Sequence, residues 1–462
     1  MGDIIMKMKL IPMLLASTMI LSTLTGCASS KGSTTAVNDK KVVYPKGKVV
    51  IYGYGQPQYL QQYYDAWLEK NRDIAPEVTI EIIQTKGAAD SRAKVTMTYL
   101  AGAYKDLPDA MFIDPVNLMD LAKGNILKDE TKFVTPLIDK MVEGSTVDGK
   151  LNGKIYGLPE SVRPQMLFYN KEIFSKYGVD PAQMSTMQGY IEAGRQLKVK
   201  SAGKVYLSYI DPTSKTWRYW GRRGLMPQAN AKIWNDKGEV VIGSDPGTKL
   251  ALGTLNTLNT EGLLLKSTIM EPALYDSVKN GQVATFYIGA FWDEFLRKNV
   301  ANTSGQWRVM TAPSFTDKGS AGAPVASYFS IVNKKDGVYA GLCEKLWKDF
   351  TFDNAPRMDW VNKMVTQNAP YANPVSTEML KDNFWKEPSA FYGEQSFRQL
   401  EGSSLKNNST NLIVTPQDAE ADIIISAEIE KYVAGSQTMD QAIANMDKNL
   451  KTKIGKAEII KK

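Results

Sequence analysis

No histidine occurs among the 462 residues, so the side chain that most often moves protons near neutral pH is missing. Ser–His–Asp and Cys–His triads, two-His zinc motifs and His-ligated haem are excluded with it. Two thiols remain, Cys27 and Cys343. Leu342, Leu346, Trp347 and Phe350 surround Cys343 at helical spacing, which reads as a buried structural thiol rather than a nucleophile. Among the acids, Glu160 and Asp114 make a pair on paper, but no segment sets two carboxylates in a recognisable catalytic frame. Asp and Asn oxygens are able to hold calcium, yet no EF-hand spacing occurs. No metal or cofactor is expected. The abundant chemistry is aromatic, since 9 Trp and 22 Tyr exceed what a core of this size obviously needs.

The 56 Lys+Arg stand against 49 Asp+Glu, a net charge of +7, and the basic residues are scattered. With neither a basic stripe nor a nucleic-acid motif, no nucleic-acid partner is expected. An apolar fraction of 43% and a charged fraction of 23% are ordinary for a soluble globular protein, and the length suits two or three domains. The first residues differ. Lys7 and Lys9 precede an apolar run from Leu10 to Leu24 that contains Pro12 and ends in Leu24-Thr25-Gly26-Cys27. That run falls short of the roughly 20 apolar residues of a membrane-spanning helix and has the flanks of a signal peptide. Its end resembles the bacterial lipobox, in which the Cys becomes the lipidated first residue after cleavage, although Thr25 stands where Ser or Ala is commoner. On this reading 1–26 is a lipoprotein signal peptide, Cys27 carries the lipid (palmitate), and the polar stretch 27–47 is a flexible tether. The membrane is then met through the lipid anchor only.

Order is expected from Lys48. Val49-Val50-Ile51-Tyr52 reads as a strand broken by Gly53-Tyr54-Gly55, after which Pro57 opens a helix in its first turn. Tyr59, Tyr63, Trp67 and Leu60, Tyr64, Leu68 put one helical face together. A strand at 78–83, a helix at about 89–101 and a strand at 110–113 follow, with Asp114-Pro115 as the break before a helix ending near Gly124. This alternation predicts a parallel sheet with helices on both faces. Ligands of such sheets sit at the carboxyl ends of the strands, which singles out Tyr54, Gln56 and Asp114. Further on, an extended 166–169, a helix from Lys171 to about Gly178, a hairpin about Asn235-Asp236-Lys237-Gly238, helices at 246–258 and 272–280, and a strand at 284–288 are expected. Two terminal helices are divided by Gly435-Ser436.

Several of these segments, in this order, resemble the family 1 extracellular solute-binding proteins, the maltose-binding-protein-like receptors of carbohydrate ABC importers. They are Leu107-Pro108-Asp109-Ala110-Met111-Phe112, Leu121-Ala122-Lys123-Gly124, Tyr156-Gly157-Leu158-Pro159-Glu160, Leu167-Phe168-Tyr169-Asn170-Lys171-Glu172-Ile173-Phe174, Gly281-Gln282-Val283-Ala284 and Ala434-Gly435. Each is short, but their order and spacing cover nearly the whole chain after Lys48. The resemblance implies an α/β, two-lobe periplasmic-binding-protein-like fold (type II-like) with a hinge between the lobes. Lobe one is expected at 48–158 plus 312–383 and lobe two at 159–311 plus 384–462. It implies a monomeric receptor on the extracellular or periplasmic side of the cell membrane, which clamps an oligosaccharide and delivers it to ABC transporter permease subunits. Sugars need directional hydrogen bonds and flat rings on which to lie. The resemblance offers Glu160, after the Tyr-Gly-Leu-Pro run, and Arg163 behind it, then Trp217, Trp220 and Trp292 as rings, with Tyr328 and Tyr54 as further candidates. The rival is a secreted glycoside hydrolase, which works with two carboxylates and no His, with Glu160 and Asp114 as its pair.

Overall fold

The computed structural model describes residues 42–315, 322–371, 373–405 and 414–460. The expected signal peptide, Cys27 and all but the last residues of the tether lie outside the described residues. The chain runs β1 (Gly47–Gly53), α1 (Pro57–Lys70), β2 (Val78–Gln84), α2 (Ala88–Leu100), β3 (Ala110–Ile113), α3 (Pro115–Lys123), and then β4 (Leu158–Arg163) and β5 (Gln165–Asn170), separated only by Pro164. Next come α4 (Lys171–Lys176), α5 (Met187–Lys200), β6 (Ser208–Ile210), a π-helical stretch Trp217–Leu225, α6 (Pro246–Thr260), β7 (Leu264–Lys266), α7 (Pro272–Lys279), β8 (Thr285–Gly289), α8 (Trp292–Asn299), β9 (Trp307–Thr311) and β10 (Val325–Ile331). The chain continues through α9 (Ala340–Phe352), α10 (Asn354–Thr366), α11 (Phe397–Ser404), α12 (Asp418–Val433) and α13 (Met439–Lys453). Among the described residues no helix is long and apolar enough to cross a membrane.

The helix starts follow local chemistry. Prolines stand in the first turn of α1, α3, α6 and α7, where the missing N–H costs no intrahelical bond. Asp114 and Asp245 cap α3 and α6 by accepting from Asn117 N–H and Thr248 N–H, and Thr438 caps α13 in a reciprocal box with Gln441.

Two sheets form two lobes. The first has the order β2-β1-β3-β10-β4, with β1 parallel to β2 and β3. Here the structure corrects the parallel-sheet expectation, because β10 runs antiparallel to both neighbours. The reason lies in the chain path. β4 pairs Arg163 with Val325, the first residue of β10, so the chain leaves the lobe at the same edge where it later returns. The hydrophobic pattern of a strand carries no information about its direction of entry. In the second lobe β5 is flanked antiparallel by β8 and β9. β6 is laid beside β8 by Ala284 N–H to Tyr206 O at 3.0 Å and Thr285 N–H to Leu207 O at 2.8 Å, and β7 is parallel to β6. The expected hairpin about 235–238 closes on a single bridge, Trp234 to Val240.

Each sheet has apolar layers on both faces. In the first lobe, Val49, Ile51, Trp67, Trp347 and Trp360 gather on one side, and Val95, Leu118, Leu121 and Tyr328 on the other. Cys343 is fully buried in the first group, and burial pushes its thiol well up, so little reactive thiolate forms. In the second lobe one layer holds Trp217, Trp220 and the inner faces of α5, α6, α12 and α13, and the other holds Trp292, Trp307, Tyr392 and Phe397. Phe384 and Trp385 pack with the first lobe, whereas Phe391 packs with the second.

Candidate ligand-binding cleft

Between the lobes lies a cleft of about 590 Å³. Strand ends build its first-lobe wall. Tyr54 and Gln56 follow β1, Thr85 and Lys86 follow β2, and Glu160, Ser161 and Ser327 come from β4 and β10. The ladder between β4 and β10 slips between Ser327 and Tyr328, an irregularity of the kind that re-aims side chains beside binding sites. Two close approaches hold β4 in place. A Cβ on Gly157 would fall 2.6 Å from Leu118 Cδ1 and 2.7 Å from Tyr328 Cδ1, so only glycine fits there. Trp347 Nε1 donates to Pro159 O at 2.9 Å. Tyr59, Phe350 and Trp360 complete this wall, and the Trp360 indole is fixed by donation to Tyr59 O at 2.9 Å. The facing wall carries Lys215, Arg218, Tyr219 and Arg223 from the π-helical stretch and its approach, with Phe291, Glu294 and Phe295 at α8.

Charge is unevenly distributed in this space. Arg163, 5% exposed at its side chain, bonds Glu294 and also Glu401 at 2.8 Å. Its Nη2 is buried and has no hydrogen-bond partner among the described residues. Burial raises the carboxyl of Glu160, against the pull of the Ser161 hydroxyl, which donates at 2.9 Å, and of Arg357. Burial and the charge of Asp114 push the Tyr54 phenol up to about 12, so it is a neutral donor at any working pH. Burial also acts to raise Asp114, but Arg218, Arg223 and the two Asn117 donors outweigh it and hold the carboxyl below its ordinary range.

Asp114 faces a second chamber of about 350 Å³, shared with Arg92, Trp217, Arg222 and Asp422. Burial, opposed by Arg222 and reinforced by Asp418, pushes Asp422 up to about 6. A carboxyl raised above its unfolded value contributes stability that is complete below about pH 4 and is lost as pH rises through 6. Two units correspond to roughly 3 kcal/mol, and because a quarter of the side chain is open to solvent about 1–2 kcal/mol is expected. Asp422→Asn is therefore expected to gain stability over the parent at pH 7.5 and to lose that advantage at pH 4, as read from urea midpoints at both values. A gap independent of pH would refute the assignment.

Of the residues singled out from the sequence, the structure brings Tyr54, Gln56, Glu160 and Arg163 to the cleft. Asp114 stands just behind it, engaged by Arg218 and Arg223. The other rings are corrected. Trp292 is fully buried against Phe286, Tyr275 and Phe295. Trp220 is fully buried and donates to Tyr209 O at 3.1 Å. Trp217 is 1% exposed, donates to Asp422 Oδ1 at 2.7 Å and borders only the second chamber. Tyr328 points into the first lobe and donates to Ser145 O at 2.9 Å. Large rings take the core positions because they remove the most apolar area from water. Sequence reasoning missed Arg218, Tyr219, Arg223, Phe291, Phe295 and Trp360. All but Trp360 lie within one to three residues of Trp217, Trp220 or Trp292.

Comparison with known proteins agrees with this architecture. A family model described as bacterial extracellular solute-binding protein matches residues 54–336. An arabinooligosaccharide-binding protein of Halalkalibacterium halodurans is 26% identical over 300 residues, covering 60% of this chain and 61% of that protein. One from Bacillus subtilis is 22% identical over 306 residues, covering 60% and 66%. The aligned region thus spans a little under two thirds of each relative. Among solved structures, the ABC-transporter-associated binding protein from B. animalis subsp. lactis Bl-04, in complex with beta-1,6-galactobiose, superposes with a TM-score of 0.73 at 18% identity over 88% of this chain and 97% of that one. That likeness identifies the two-lobe fold.

Proposed function

The chain belongs to the bacterial extracellular solute-binding protein family, and from that membership we propose that it is the receptor of a carbohydrate ABC importer, closing its two lobes on an oligosaccharide and passing it intact to membrane permease subunits. The observation that carries this reading is the cleft itself, which draws rings and hydrogen-bonding groups from both lobes: Tyr54, Glu160 and Trp360 from one, Tyr219, Phe291 and Glu294 from the other. The names of the arabinooligosaccharide-binding relatives support the ligand class. Half-buried Tyr54, Tyr59, Phe291 and Phe295 offer faces for sugar C–H groups. A micromolar dissociation constant needs about 8.2 kcal/mol. If each ring contributes ~0.5–1.5 kcal/mol beyond area burial, two or three rings with charge-assisted hydrogen bonds suffice.

The chain crosses between lobes, on this reading, at Pro164, between β9 and β10, and between Trp385 and Phe391. A ligand touching both lobes favours the closed form by its differential affinity, and a permease reads that spacing. The N-terminal sequence supports attachment through a lipid on Cys27 at the outer side of the cell membrane. Hydrolysis has little support, since Asp114, half of its nominal acid pair, is held by two arginines behind the cleft.

The test is a thermal-shift panel of cello-, xylo-, malto- and manno-oligosaccharides graded by length, followed by recovery of the sugar and by solution scattering with and without the best binder. A bound sugar at 100 times its dissociation constant adds about 2.7 kcal/mol, and the recovered chain should keep its length. Shortened sugars, or scattering profiles that superimpose despite occupancy, would sink the proposal.

A further inference from the structure

Arg218 Nη2 and Arg223 Nη2 converge on one acceptor atom, Asp114 Oδ2, at 3.1 and 3.4 Å. The other oxygen of that carboxylate is already taken by Asn117, whose backbone N–H and side-chain amide donate at 3.1 and 2.8 Å. Two positive charges thus share one negative charge whose acceptor sites are filled. Each guanidinium has five N–H donors, and among the described residues the contact with Asp114 is the only side-chain hydrogen bond that either makes. Both line the cleft, Arg218 with 33% of its side chain exposed and Arg223 with 13%. Their convergence comes from the π-helical backbone. Residues five apart stand about 140° apart around an ordinary helix, whereas the wider π turn, closed every five residues, brings them to one side. Gly221 makes room for that turn, since a Cβ there would fall 2.4 Å from the Trp217 ring. Tyr219 lies against both cations, 5.8 and 5.9 Å from its ring centroid.

Asp422 also acts on Arg218 from the second chamber, where it stands 3.9 Å from Arg222, and Lys86 adds a further cation to the cleft. Arg222 is committed to Asp418. Lys215 bonds Ile269 O at 3.0 Å, and Glu271 lines the cleft as well. At the other end, Arg163 faces two carboxylates, Glu294 and Glu401. The cleft therefore has an anion-seeking end at Arg218 and Arg223 and an acceptor-rich end at Glu160 and Glu294.

Building on the receptor reading, we propose that the ligand is an acidic oligosaccharide, with a uronic-acid carboxylate held by Arg218 and Arg223 beside Tyr219 and neutral hydroxyls donating to Glu160 and Glu294. A planar carboxylate matches the guanidinium fork. A single carboxylate meets N–H donors that the contact with Asp114 leaves open on both guanidinium groups. Burial together with the charge of Arg218 holds Arg223 below the usual guanidinium range, a strain that an incoming anion relieves.

The test is isothermal titration with galacturonan oligomers of three to five units, the same oligomers fully methyl-esterified, and a sulfated oligosaccharide, each at low and high salt. The free acid is expected to bind about tenfold or more tightly than its ester, with the difference shrinking as salt rises. Arg218→Gln and Arg223→Gln should each bring the acid-to-ester ratio toward one while melting within a few degrees of the parent. An ester that binds as tightly as the acid, a sulfated sugar that binds more tightly, or a ratio that survives both substitutions overturns the assignment. If neutral oligosaccharides bind and close the lobes without any acid preference, this inference falls and the receptor reading stands. If no oligosaccharide binds, both fall.

Discussion

Replacing Trp292 by Ala is expected to lower the free energy of unfolding by about 3–5 kcal/mol, the range for deleting a large ring from a packed core. Its side chain is fully buried, stacked at 19° on Tyr275 and at 18° on Phe295, with Phe286 4.9 Å away between ring centroids. Phe295 lines the cleft, so the alanine variant also loosens a ligand-facing ring and is expected to bind more weakly for that indirect reason. Trp292→Phe separates the two effects. The indole Nε1 has no hydrogen-bond partner among the described residues, and an unpaired buried donor costs about 1–3 kcal/mol. Phenylalanine removes that penalty while it loses some volume, so its net cost should stay within about 1–2 kcal/mol. Urea midpoints give the stabilities and titration gives the affinity. A Trp292→Phe variant that keeps its stability but loses most of its oligosaccharide affinity would return Trp292 to the ligand.

The contrast between Trp292 and Phe291 explains what the sequence makes legible. The strands and helix starts of the first lobe were readable because proline, glycine and alternating apolar residues act locally, and the strand-end rule alone led to Tyr54 and Gln56. Phe291 and Trp292 are consecutive, and adjacent residues on a helix point about 100° apart. Which of them meets the cleft depends on how α8 is rotated, and that is fixed by Tyr275 and Phe286 from other elements. Tyr328 poses the same problem with period two. Ser327 faces the cleft and Tyr328 the core, a parity that belongs to the β4 ladder and its slip. The segment Trp217–Leu225 is π-helical, and its cations carry no spacing signal of their own. The π register that joins Arg218 to Arg223 has no counterpart in hydrophobic spacing. Trp360 reaches the cleft from α10, too far along the chain for local pattern to connect it with Tyr59.

Loss of Arg163 is expected to damage stability and ligand capture together. Arg163 ends β4, immediately before Pro164 and the crossing to β5, and it ties that crossing to α8 through Glu294 and to α11 through Glu401. Glu401 is fully buried and the Glu294 side chain is 13% exposed. Arg163→Met keeps the apolar stem but leaves two carboxylates without their cation, for which a penalty of about 3–5 kcal/mol is expected. The pH dependence has a definite sign. Burial already raises Glu294 against the pull of Arg163, and removal of the guanidinium raises it further. A carboxyl raised above its unfolded value costs stability as pH climbs through the folded value and restores it on the acid side. The deficit of Arg163→Met should therefore be greatest near pH 8 and smaller near pH 5, and Arg163→Met combined with Glu401→Gln should recover part of it at pH 8. Affinity should not recover in parallel, because the crossing strand beside the cleft has lost its brace to α8 and α11. Urea midpoints at the two pH values, with titration of the best oligosaccharide, decide the matter. If Arg163→Met equals the parent in stability at pH 8, the ion triad does not brace the hinge.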